Sequence, residues 1–473
     1  MVGLLIYWVM RSKMAVSADI LQKVQAELTA LLGDRCSTSQ AVRDQHGKDE
    51  SWHETCAPDI VCFAQSTEEV AKIVKVCAAH KVPVVPFGAG TSLEGHINAV
   101  EGGVSIDLNQ MNEILEVHPE DLDCVVQPGV RRKQLNEYLR DTGLFFPIDP
   151  GADASVGGMA STRASGTNAV RYGTMRDNIL NLTVVLPNGD IIKTGGRAKK
   201  SAAGYDLTRL YIGAEGTLGI ITEVTLRLYG IPEAIAAATV SFPDIESAVN
   251  AVILTIQSGI PIARIELLDE VQIDAINKYS GLDLPVQASL FLEFHGSDAY
   301  VKEQSEFVGD ICAEFGAEDF KWTTKPEDRA KLWQARHDAA YAAKALRTDA
   351  SLWATDVCVP ISRLADCIME TKADLETSSL IAPLVGHVGD GNFHLAFVLD
   401  MSNPDEMAEA ERINGRLIER ALSMGGTCTG EHGVGLGKKK YLPKELGDGA
   451  VQVMATLKNA LDPDNIMNPG KII

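Results

Sequence analysis

The stretch Gly386-His-Val-Gly-Asp-Gly-Asn-Phe-His394 lies between two apolar runs. Its central residues, 389–392, are turn formers, so the pattern predicts a strand, a tight turn and a second strand. With the turn at these residues, His387 is expected directly opposite His394, within about 5 Å at Cβ. Two imidazoles this close are able to bind one metal ion, although an exposed hairpin with two polar residues explains the pattern equally well.

A second stretch, Thr429-Gly-Glu-His-Gly-Val-Gly435, adds a carboxylate and a third imidazole on a glycine-rich loop. Two histidines and one carboxylate form a ligand set that suits Zn²⁺, Mn²⁺ or Fe²⁺. We therefore expect a divalent metal site made of His387, His394 and Glu431, with His432 beside it. A metal-dependent hydrolase is one class of enzyme that such a site would serve.

The composition disfavours several kinds of partner. The 473 residues are 45% hydrophobic and 23% charged, as in a soluble globular protein of two or three domains. A formal net charge of -21 without basic clusters disfavours nucleic acid and anionic membranes. The short basic run Lys438–Lys440 is explained by a solvated helix end.

The nine cysteines are scattered and form no Cys-x-x-Cys pair, so we expect free thiols and a reducing compartment. The N-terminal run Val2–Met10 is apolar but too short to span a bilayer, and Arg11 and Lys13 follow it. A signal remnant, a trimmed transit peptide or an artificial extension fits this pattern. No segment of the sequence predicts a transmembrane helix.

Glycine-rich turns dominate the first half of the chain, after a predicted helix at 18–33. Residues 86–95 follow a strand, which favours backbone amides around a phosphate. Their glycine spacing matches neither the Rossmann nor the Walker pattern, so an ordinary loop is equally compatible. Residues 149–168 are rich in small side chains, which let a flat ligand approach the backbone, unless this segment is a flexible linker. The turn at 212–222 leads into another strand.

A change of pattern at Gly230–Glu233 predicts a domain boundary. Beyond it, amphipathic helices alternate with short apolar strands, which indicates an α+β domain around an antiparallel sheet. The predicted helices cover 244–257, 299–316, 361–377 and 404–424, and the predicted strands cover 236–241, 262–268, 288–294, 354–359, 381–385 and 393–399.

Six stretches occur in a fixed order along the chain. They are 86–95, 149–173, Gly213-Ala-Glu-Gly-Thr-Leu-Gly219, the 386–394 stretch, Gly430-Glu-His-Gly-Val-Gly435 and the tail Asn468-Pro-Gly-Lys471. Together they resemble the FAD-dependent 2-hydroxyacid dehydrogenases of the vanillyl-alcohol-oxidase superfamily, and within it the mitochondrial D-lactate dehydrogenases of the cytochrome type. Each glycine motif is weak alone, but the ordered set is specific and spans nearly the whole chain after about residue 18.

The resemblance implies an α+β fold: a two-part FAD-binding domain of the vanillyl-alcohol-oxidase type followed by an α+β cap domain with an antiparallel sheet. The implied organisation is an N-terminal helical segment at 1–55, the FAD-binding domain at 56–232, the substrate and metal cap domain at 233–460 and a tail at 461–473 that returns to the FAD domain. The implied FAD contacts are Pro86, Gly88, Ala89, Gly90, Thr91, Ser92, Gly95, Pro150, Gly151, Ser155, Gly157, Gly158, Ser161, Gly166, Thr167, Gly216, Ile220 and Asn468.

Covalently flavinylated relatives carry a histidine where Thr91 stands, so the resemblance implies non-covalent FAD. His96 lies near enough in sequence to keep the covalent alternative open. Two positions depart from the family pattern. Arg163 is bulky amid small residues and large enough to occupy space assigned to the cofactor, and Ala214 replaces a serine often found before Glu-Gly-Thr.

Oxidation of a 2-hydroxy acid by hydride transfer needs a fixed carboxylate, removal of the hydroxyl proton and a Cα–H aimed at flavin N5. The resemblance assigns the carboxylate to Arg336, through a two-pronged hydrogen bond. From the sequence alone, an exposed helical arginine paired with Asp338 or Asp328 explains this position better. His295 and His337 are expected to be structural.

In this scheme, the metal held by His387, His394 and Glu431 binds the substrate hydroxyl and a carboxylate oxygen, which lowers the hydroxyl pKa. His432 is the expected general base, with a neutral imidazole near physiological pH. Asn392 is also expected to reach the substrate.

Substrate size follows from two residues that the chain lacks. Relatives that oxidise D-2-hydroxyglutarate carry a lysine and a threonine where Ala354 and Ala340 stand, and both help to hold the distal carboxylate. Without them a second buried carboxylate would cost several kcal/mol. We therefore expect a small 2-hydroxy monocarboxylate, D-lactate first, oxidised to pyruvate. Glycolate or another D-2-hydroxyacid is the alternative within this fold, and a catalytically silent flavin-binding subunit is a further one.

The electron acceptor is expected to be a separate protein or a quinone, because the sequence contains neither a membrane helix nor a Cys-x-x-Cys-His haem motif. The resemblance implies cytochrome c or another respiratory carrier, and a mitochondrial location. An oligomer is compatible with the sequence.

Overall fold

The structure is a computed structural model that describes residues 16–473, so the apolar run Val2–Met10 lies outside the described residues. Up to residue 232 the strands are β1 Cys36–Ser37, β2 Ile60–Phe63, β3 Val84–Phe87, β4 Val104–Asp107, β5 Ile114–His118, β6 Asp123–Val126, β7 Leu144–Phe145, β8 Ile179–Val185, β9 Ile191–Lys193, β10 Ile220–Arg227 and β11 Tyr229–Gly230. The α-helices there are Ala18–Leu32, Gln40–Gln45, Thr67–His80, Arg132–Leu139, Val156–Thr162, Ala169–Tyr172, Met175–Asn178 and Leu207–Tyr211.

Two sheets organise this half of the described chain. β2, β4 and β3 pair in parallel, and β1 joins β2 in antiparallel fashion. Helix Thr67–His80 begins where the Ser66 hydroxyl accepts a hydrogen bond from the Glu69 amide, and its apolar side is buried in the same core as this sheet. The second sheet is antiparallel, with the order β5-β6-β10-β8-β9. Val185 of β8 and Ile220 of β10 are buried in the same core as the first sheet, so the two sheets pack against each other.

The segment rich in small residues is not a flexible linker. Within it, helix Val156–Thr162 begins at Ser155, whose hydroxyl accepts a hydrogen bond from the Gly158 amide. Val156, Met159 and Ala160 on this helix are buried in the core of the second sheet. The linker alternative is therefore wrong, because three apolar side chains at helical spacing suffice to anchor the segment.

From residue 233 onward the strands are β12 Ala234–Ser241, β13 Arg264–Leu268, β14 Ser289–Gly296, β15 Glu318–Thr323, β16 Ser351–Ala354, β17 Val357–Cys358, β18 Leu384–Gly386 and β19 Asn392–Leu399. The α-helices are Ile245–Gln257, Glu270–Ser280, Asp298–Glu314, Pro326–His337, Ala339–Lys344, Leu364–Leu375, Pro404–Ser423 and Leu442–Leu461. The strands form an antiparallel sheet in the order β15-β12-β14-β13-β18-β19-β16, with β17 paired to β19. The domain limits given above remain predictions.

The hairpin of β18 and β19 forms, but its predicted register is wrong. His394 pairs with Val385 and not with His387. The turn ends at Gly391, which adopts the left-handed conformation with φ 80°, and Asn392 already belongs to β19. The Gly391 carbonyl accepts a hydrogen bond from the Val359 amide at 3.0 Å, and this bond holds the end of the turn in place. The observed register of the hairpin differs from the predicted one by two residues. His387 is therefore diagonal to His394 rather than opposite it.

The strand predicted at 354–359 is divided into β16 and β17, and the two residues between them are Thr355 and Asp356. Both are completely buried. The Thr355 hydroxyl oxygen accepts from the Leu395 amide of β19, whereas the Asp356 carboxylate accepts from the amides of Glu431 and His432. This interruption supplies the aspartate on which the functional loop rests.

Three further expectations concern charge, thiols and membranes. The expectation of a solvated helix end fits Lys440, which is exposed just before helix Leu442–Leu461, but not Lys438, which is 3% exposed with its Nζ 3.8 Å from Glu94 Oε1. All nine cysteines are free thiols, as expected. Within residues 16–473, no helix is both long enough and apolar enough to cross a membrane.

Candidate active site

His387, His394 and Glu431 meet at one point although the two histidines are not directly opposed. The His387 and His394 ring centroids are 5.5 Å apart. Glu431 Oε1 lies 3.1 Å from His387 Nε2 and 3.4 Å from His394 Nε2. Two ligands of one ion, each about 2.1 Å from it and about 90–109° apart, are separated by about 3.0–3.4 Å. The three donors therefore fit a divalent metal, and their ligand atoms lie within 4.8 Å of one another.

The other nitrogen of each imidazole is held by the protein. His387 Nδ1 lies 2.8 Å from Glu266 Oε1, and His394 Nδ1 lies 2.8 Å from the Thr355 carbonyl oxygen. Because a carboxylate and a carbonyl only accept, both Nδ1 atoms carry the proton and donate. Nε2 is thus the atom of each ring that faces the cluster, which is the arrangement typical of histidine ligands, and a metal would displace the proton that His387 Nε2 shares with Glu431.

The neighbouring charges in the cluster stabilise one another's ionised forms. Burial alone would lower the pKa of His387, but the carboxylates of Glu266 and Glu431 outweigh it and raise that pKa well above its usual range. Burial alone would raise the pKa of Glu431, but His387 and His394 hold it well below its usual range. Glu431 is therefore an anionic donor at neutral pH, as a metal ligand must be.

Asp356 holds the loop that carries Glu431 and His432. Its Oδ2 accepts hydrogen bonds from the backbone amides of both residues at 2.9 Å and from the Thr429 hydroxyl at 2.8 Å. Its Oδ1 accepts from the Asn392 amide nitrogen at 2.8 Å. Burial opposes the charge on Asp356, but the imidazoles of His432 and His394 and the ammonium group of Lys438 keep its pKa far below the usual range.

His432 lies directly beside the three predicted ligands. Its ring stacks on that of His394, with centroids 5.0 Å apart and planes 10° apart. Within residues 16–473, His432 Nδ1 is buried without a hydrogen-bond partner. Burial lowers the pKa of this imidazole to about 4, so it is neutral at physiological pH. A neutral imidazole with an unpartnered nitrogen in a buried site is able to accept a proton.

Arg336 enters the same cluster from helix Pro326–His337. It is 9% exposed and donates from Nε and Nη2 to Glu266 Oε2, at 3.0 and 2.6 Å. The alternative of an exposed arginine paired with Asp338 or Asp328 is wrong, because helix packing turns this side chain towards the sheet. Glu266 thus joins Arg336 to His387.

Asn392 and His295 have structural contacts, whereas His337 is exposed. The Asn392 amide nitrogen donates to Asp356 Oδ1 and to the Val357 carbonyl, so this end of the side chain is committed to the protein rather than to substrate. His295 is buried between Glu293 and the Tyr172 hydroxyl, each at 2.8 Å. His337 is exposed at the end of its helix.

The predicted cofactor loops converge. Gly88 faces Ser155 so closely that a Cβ on Gly88 would lie 2.4 Å from the Ser155 hydroxyl oxygen. The tail returns as expected, because the Asn468 amide nitrogen donates to the carbonyls of His96 and Glu215, at 3.0 and 2.7 Å. Loop 86–95, the start of helix Val156–Thr162, the turn at 215–216 and the tail therefore form one cradle.

Several of the predicted cofactor residues already have partners within the protein. The hydroxyls of Ser92, Ser161 and Thr167 donate to Asp49, to the Gly157 carbonyl and to Asp149, respectively. Ile220 is 1% exposed and packs in the core of the first sheet opposite Val185, so its side chain does not line the cradle. Because these side chains are engaged elsewhere, backbone groups form most of the lining of the cradle, as expected for a loop that binds phosphate.

The sequence left the roles of two residues near the cradle undecided. His96 is buried with its Nε2 3.3 Å from Glu215 Oε1, but neither of its ring nitrogens has a hydrogen-bond partner among the described residues. Arg163 adopts a left-handed conformation with φ 57°, and its Nε donates to the Ile212 carbonyl beside Gly213. Arg163 therefore supports the turn at 212–214.

Glu266 and Asp356 are the site residues that the sequence did not reveal as such. Glu266 is a charged residue between the apolar residues Ile265 and Leu267 of β13, and an unexplained charge within an apolar run is the signal that would have identified it. Asp356 lies within the stretch 354–359 that the sequence predicts to be one strand. Neither belongs to a glycine-rich motif, which is why both were passed over.

The two halves of the chain match two known protein families. Residues 58–195 match the FAD binding domain, and residues 231–472 match the C-terminal domain of FAD linked oxidases. The chain belongs to the FAD-linked oxidases. The α+β fold expected for this family, with a two-part FAD-binding domain and an antiparallel cap, is confirmed.

Relatives of this FAD-linked oxidase include a probable mitochondrial D-lactate dehydrogenase from Danio rerio, 53% identical over 96% of this chain and 92% of the relative. The mitochondrial D-lactate dehydrogenase (cytochrome) of Arabidopsis thaliana is 50% identical over 95% of this chain and 79% of that protein. The structure of 4-ethylphenol oxidase from Gulosibacter chungangensis superposes with a TM-score of 0.80 at 19% identity, covering 97% of this chain and 98% of that one. At this identity the superposition shows the fold alone.

Proposed function

We propose that this chain is a flavin-dependent dehydrogenase that oxidises D-lactate to pyruvate. The observation that carries the proposal is the joining of Arg336, the trio His387, His394 and Glu431, and the buried imidazole of His432 in one cluster. Relatives about half identical over nearly the whole chain are named D-lactate dehydrogenases, which supports the same substrate here.

Arg336 is the residue proposed to bind the substrate carboxylate. Its Nε and Nη2 face Glu266, so the Nη1 side of the guanidinium is not part of that pair. A guanidinium held by a buried carboxylate keeps one orientation, which favours a fixed substrate pose. The charge it offers is needed because a carboxylate entering this enclosed site loses its water.

His432 is the proposed general base for the substrate hydroxyl. Its position is fixed by the Asp356 hydrogen bond to its amide and by stacking on His394. Its Nδ1 has no partner among the described residues, so a substrate hydroxyl is a suitable donor to it. FAD, when bound, supplies the two-electron acceptor for the substrate Cα–H.

His387, His394 and Glu431 are proposed to hold a divalent metal, Zn²⁺, Mn²⁺ or Fe²⁺. When bound, such an ion supplies a positive charge that lowers the pKa of a neighbouring hydroxyl. The protein prepares the three ligands beforehand, because Glu266 and the Thr355 carbonyl orient the two imidazoles.

FAD is proposed to bind without a covalent bond in the cradle between the first and second sheets. The convergence of Gly88, Ser155 and Asn468 supports this placement. Thr91, which stands where covalently flavinylated relatives carry a histidine, supports the non-covalent form.

Ala354 and Ala340 support a small monocarboxylate. Neither side chain offers a charge or a hydrogen bond to a second substrate carboxylate. Glycolate, which is smaller than D-lactate, remains the alternative within the same mechanism. Cytochrome c or another respiratory carrier is the proposed electron acceptor, and the mitochondrion is the proposed location, by analogy with the relatives named above.

Chelation tests the metal part of the proposal. The purified protein is dialysed against a chelator and assayed with D-lactate, with a dye or cytochrome c as acceptor. Activity should be lost while the flavin spectrum is kept, and re-addition of Zn²⁺, Mn²⁺ or Fe²⁺ should restore it. A His387→Ala variant should lose metal and activity together. Full activity in either metal-free protein would refute the metal site.

A further inference from the structure

Glu266 is a charged side chain in the middle of the cap sheet. It lies on β13, between β14 and β18, and it is 1% exposed. Its chain neighbours Ile265 and Leu267 are buried apolar residues. A carboxylate in such a place is costly unless it is paired, so its partners explain why it is there.

The two oxygens of Glu266 have different partners. Oε2 accepts from Arg336 Nε and Nη2, at 3.0 and 2.6 Å, whereas His387 Nδ1 donates mainly to Oε1, at 2.8 Å, and also lies 3.0 Å from Oε2. Arg336 comes from helix Pro326–His337, and His387 comes from the hairpin turn. One carboxylate on a rigid central strand therefore joins two functional groups that lie far apart in sequence.

We propose that Glu266 is a positioning residue that sets the substrate-binding arginine and the metal-binding histidine relative to each other. The inference rests on the proposed function of the site. By accepting from His387 Nδ1, Glu266 leaves Nε2 as the ligand atom and aims it towards Glu431. By accepting from one edge of Arg336, it turns the other edge outward. Substrate and metal would then be aligned by a single group.

The isosteric change Glu266→Gln tests this coupling. An amide has one acceptor and one donor end, so the nitrogen must face a donor, either the Arg336 guanidinium or His387 Nδ1. If the nitrogen faces Arg336, two donors oppose each other; if it donates to His387 Nδ1, the proton of that imidazole must move to Nε2, the proposed ligand atom. We expect Mn²⁺ to bind about 10- to 100-fold more weakly, in the range found when a group that supports a metal ligand is removed. KM for D-lactate should also rise at saturating Mn²⁺, because Arg336 loses its fixed orientation.

Glu293 provides a matched control. It is also buried in the cap sheet, 5% exposed on the neighbouring strand β14, and it also lies between a histidine and an arginine. Its Oε1 is 2.8 Å from His295 Nε2 and 3.6 Å from Arg264 Nε. Glu293→Gln therefore removes a similar buried charge outside the candidate site, and Mn²⁺ affinity should stay within about twofold of that of the original protein.

The measurement is a Mn²⁺ titration followed by electron paramagnetic resonance on the metal-depleted, FAD-containing protein, with thermal melts of each variant. Weaker Mn²⁺ binding in Glu266→Gln but not in Glu293→Gln would support the proposal. Equal affinities in both variants, or an equal loss in both, would overturn it.

A second variant covers the case in which Glu266→Gln does not fold. Glu266→Asp keeps the charge but shortens the side chain by one methylene, so its Mn²⁺ affinity should fall at least about fivefold. Where both variants fold, Glu266→Asp should bind Mn²⁺ more tightly than Glu266→Gln. Unchanged Mn²⁺ affinity in Glu266→Asp would overturn the proposal. The proposed function itself fails in a different way, namely if the unaltered protein neither binds Mn²⁺ nor has its flavin reduced by any 2-hydroxy acid.

Discussion

Replacement of Asp356 by asparagine is the perturbation whose size follows most directly from the structure. The side chain keeps its shape, but the carboxylate that holds the loop of Glu431 and His432 becomes a neutral amide. Oδ2 accepts from three donors, and Oδ1 accepts from the Asn392 amide nitrogen. Asparagine can present its oxygen to only one of these two groups of donors.

The cost can be estimated bond by bond. A hydrogen bond to a charged group contributes about 1.5–3 kcal/mol and a neutral one about 1 kcal/mol, so three weakened bonds lose about 3 kcal/mol. The new amide nitrogen then faces the Asn392 nitrogen, and a buried donor without an acceptor costs about 1–3 kcal/mol. We therefore expect Asp356→Asn to destabilise the protein by at least about 4 kcal/mol. That corresponds to a fall in melting temperature of about 4 °C if the whole chain unfolds together and about 8 °C if the cap unfolds alone.

The assay combines a thermal melt of the FAD-bound protein with stopped-flow reduction of the flavin by D-lactate. Asp283→Asn, an exposed aspartate in the same half of the chain, is the control and should melt within about 1 °C of the original protein. Asp356→Asn should also slow flavin reduction at least tenfold, because the loop that positions His432 is loosened. A variant that melts like the control and reduces flavin at the original rate would refute the role given to Asp356.

Three further predictions concern the base, the pocket and a thiol. His432→Gln should keep FAD and metal but slow flavin reduction by about 10²–10⁴, as measured by stopped flow and metal analysis; unchanged reduction would exclude it as the base. Ala354→Lys should raise kcat/KM for D-2-hydroxyglutarate relative to D-lactate about tenfold or more in steady-state assays, and an unchanged ratio would contradict the pocket argument. A hydrogen bond from Cys62 lowers the pKa of Cys36 to about 7, whereas burial raises that of Cys358 to about 12. Iodoacetamide labelling of Cys36, followed by mass spectrometry, should therefore fall as pH drops through about 7 while Cys358 reacts slowly throughout, and equal rates would contradict this.

The sequence was most informative where function leaves local patterns. The metal trio was assigned from two glycine-rich stretches, and the structure brings its atoms together. The strand positions of the hairpin were also predicted closely. Its register was not, because the pairing depends on a hydrogen bond between Gly391 and Val359, a residue that lies about thirty positions earlier in the chain.

Local sequence patterns did not identify the residues that support the site. Glu266 acquires its role only when a distant helix and the hairpin turn arrive on either side of its strand. Asp356 lies in an interruption between two strands that reads as one strand in sequence. Arg336 was assigned to the substrate only by resemblance, because burial of a helical arginine is decided by tertiary packing and not by its neighbours in sequence.

The anaerobic visible-spectrum titration of the purified protein tests the central claim most directly. D-lactate, L-lactate, glycolate and D-2-hydroxyglutarate are added separately, and the flavin band is followed. We predict bleaching by D-lactate and none by L-lactate, with D-2-hydroxyglutarate far less effective. Bleaching only by glycolate or only by D-2-hydroxyglutarate would show that this acid, and not D-lactate, is the substrate. A yellow protein that none of the four acids reduces would contradict the proposed dehydrogenase activity.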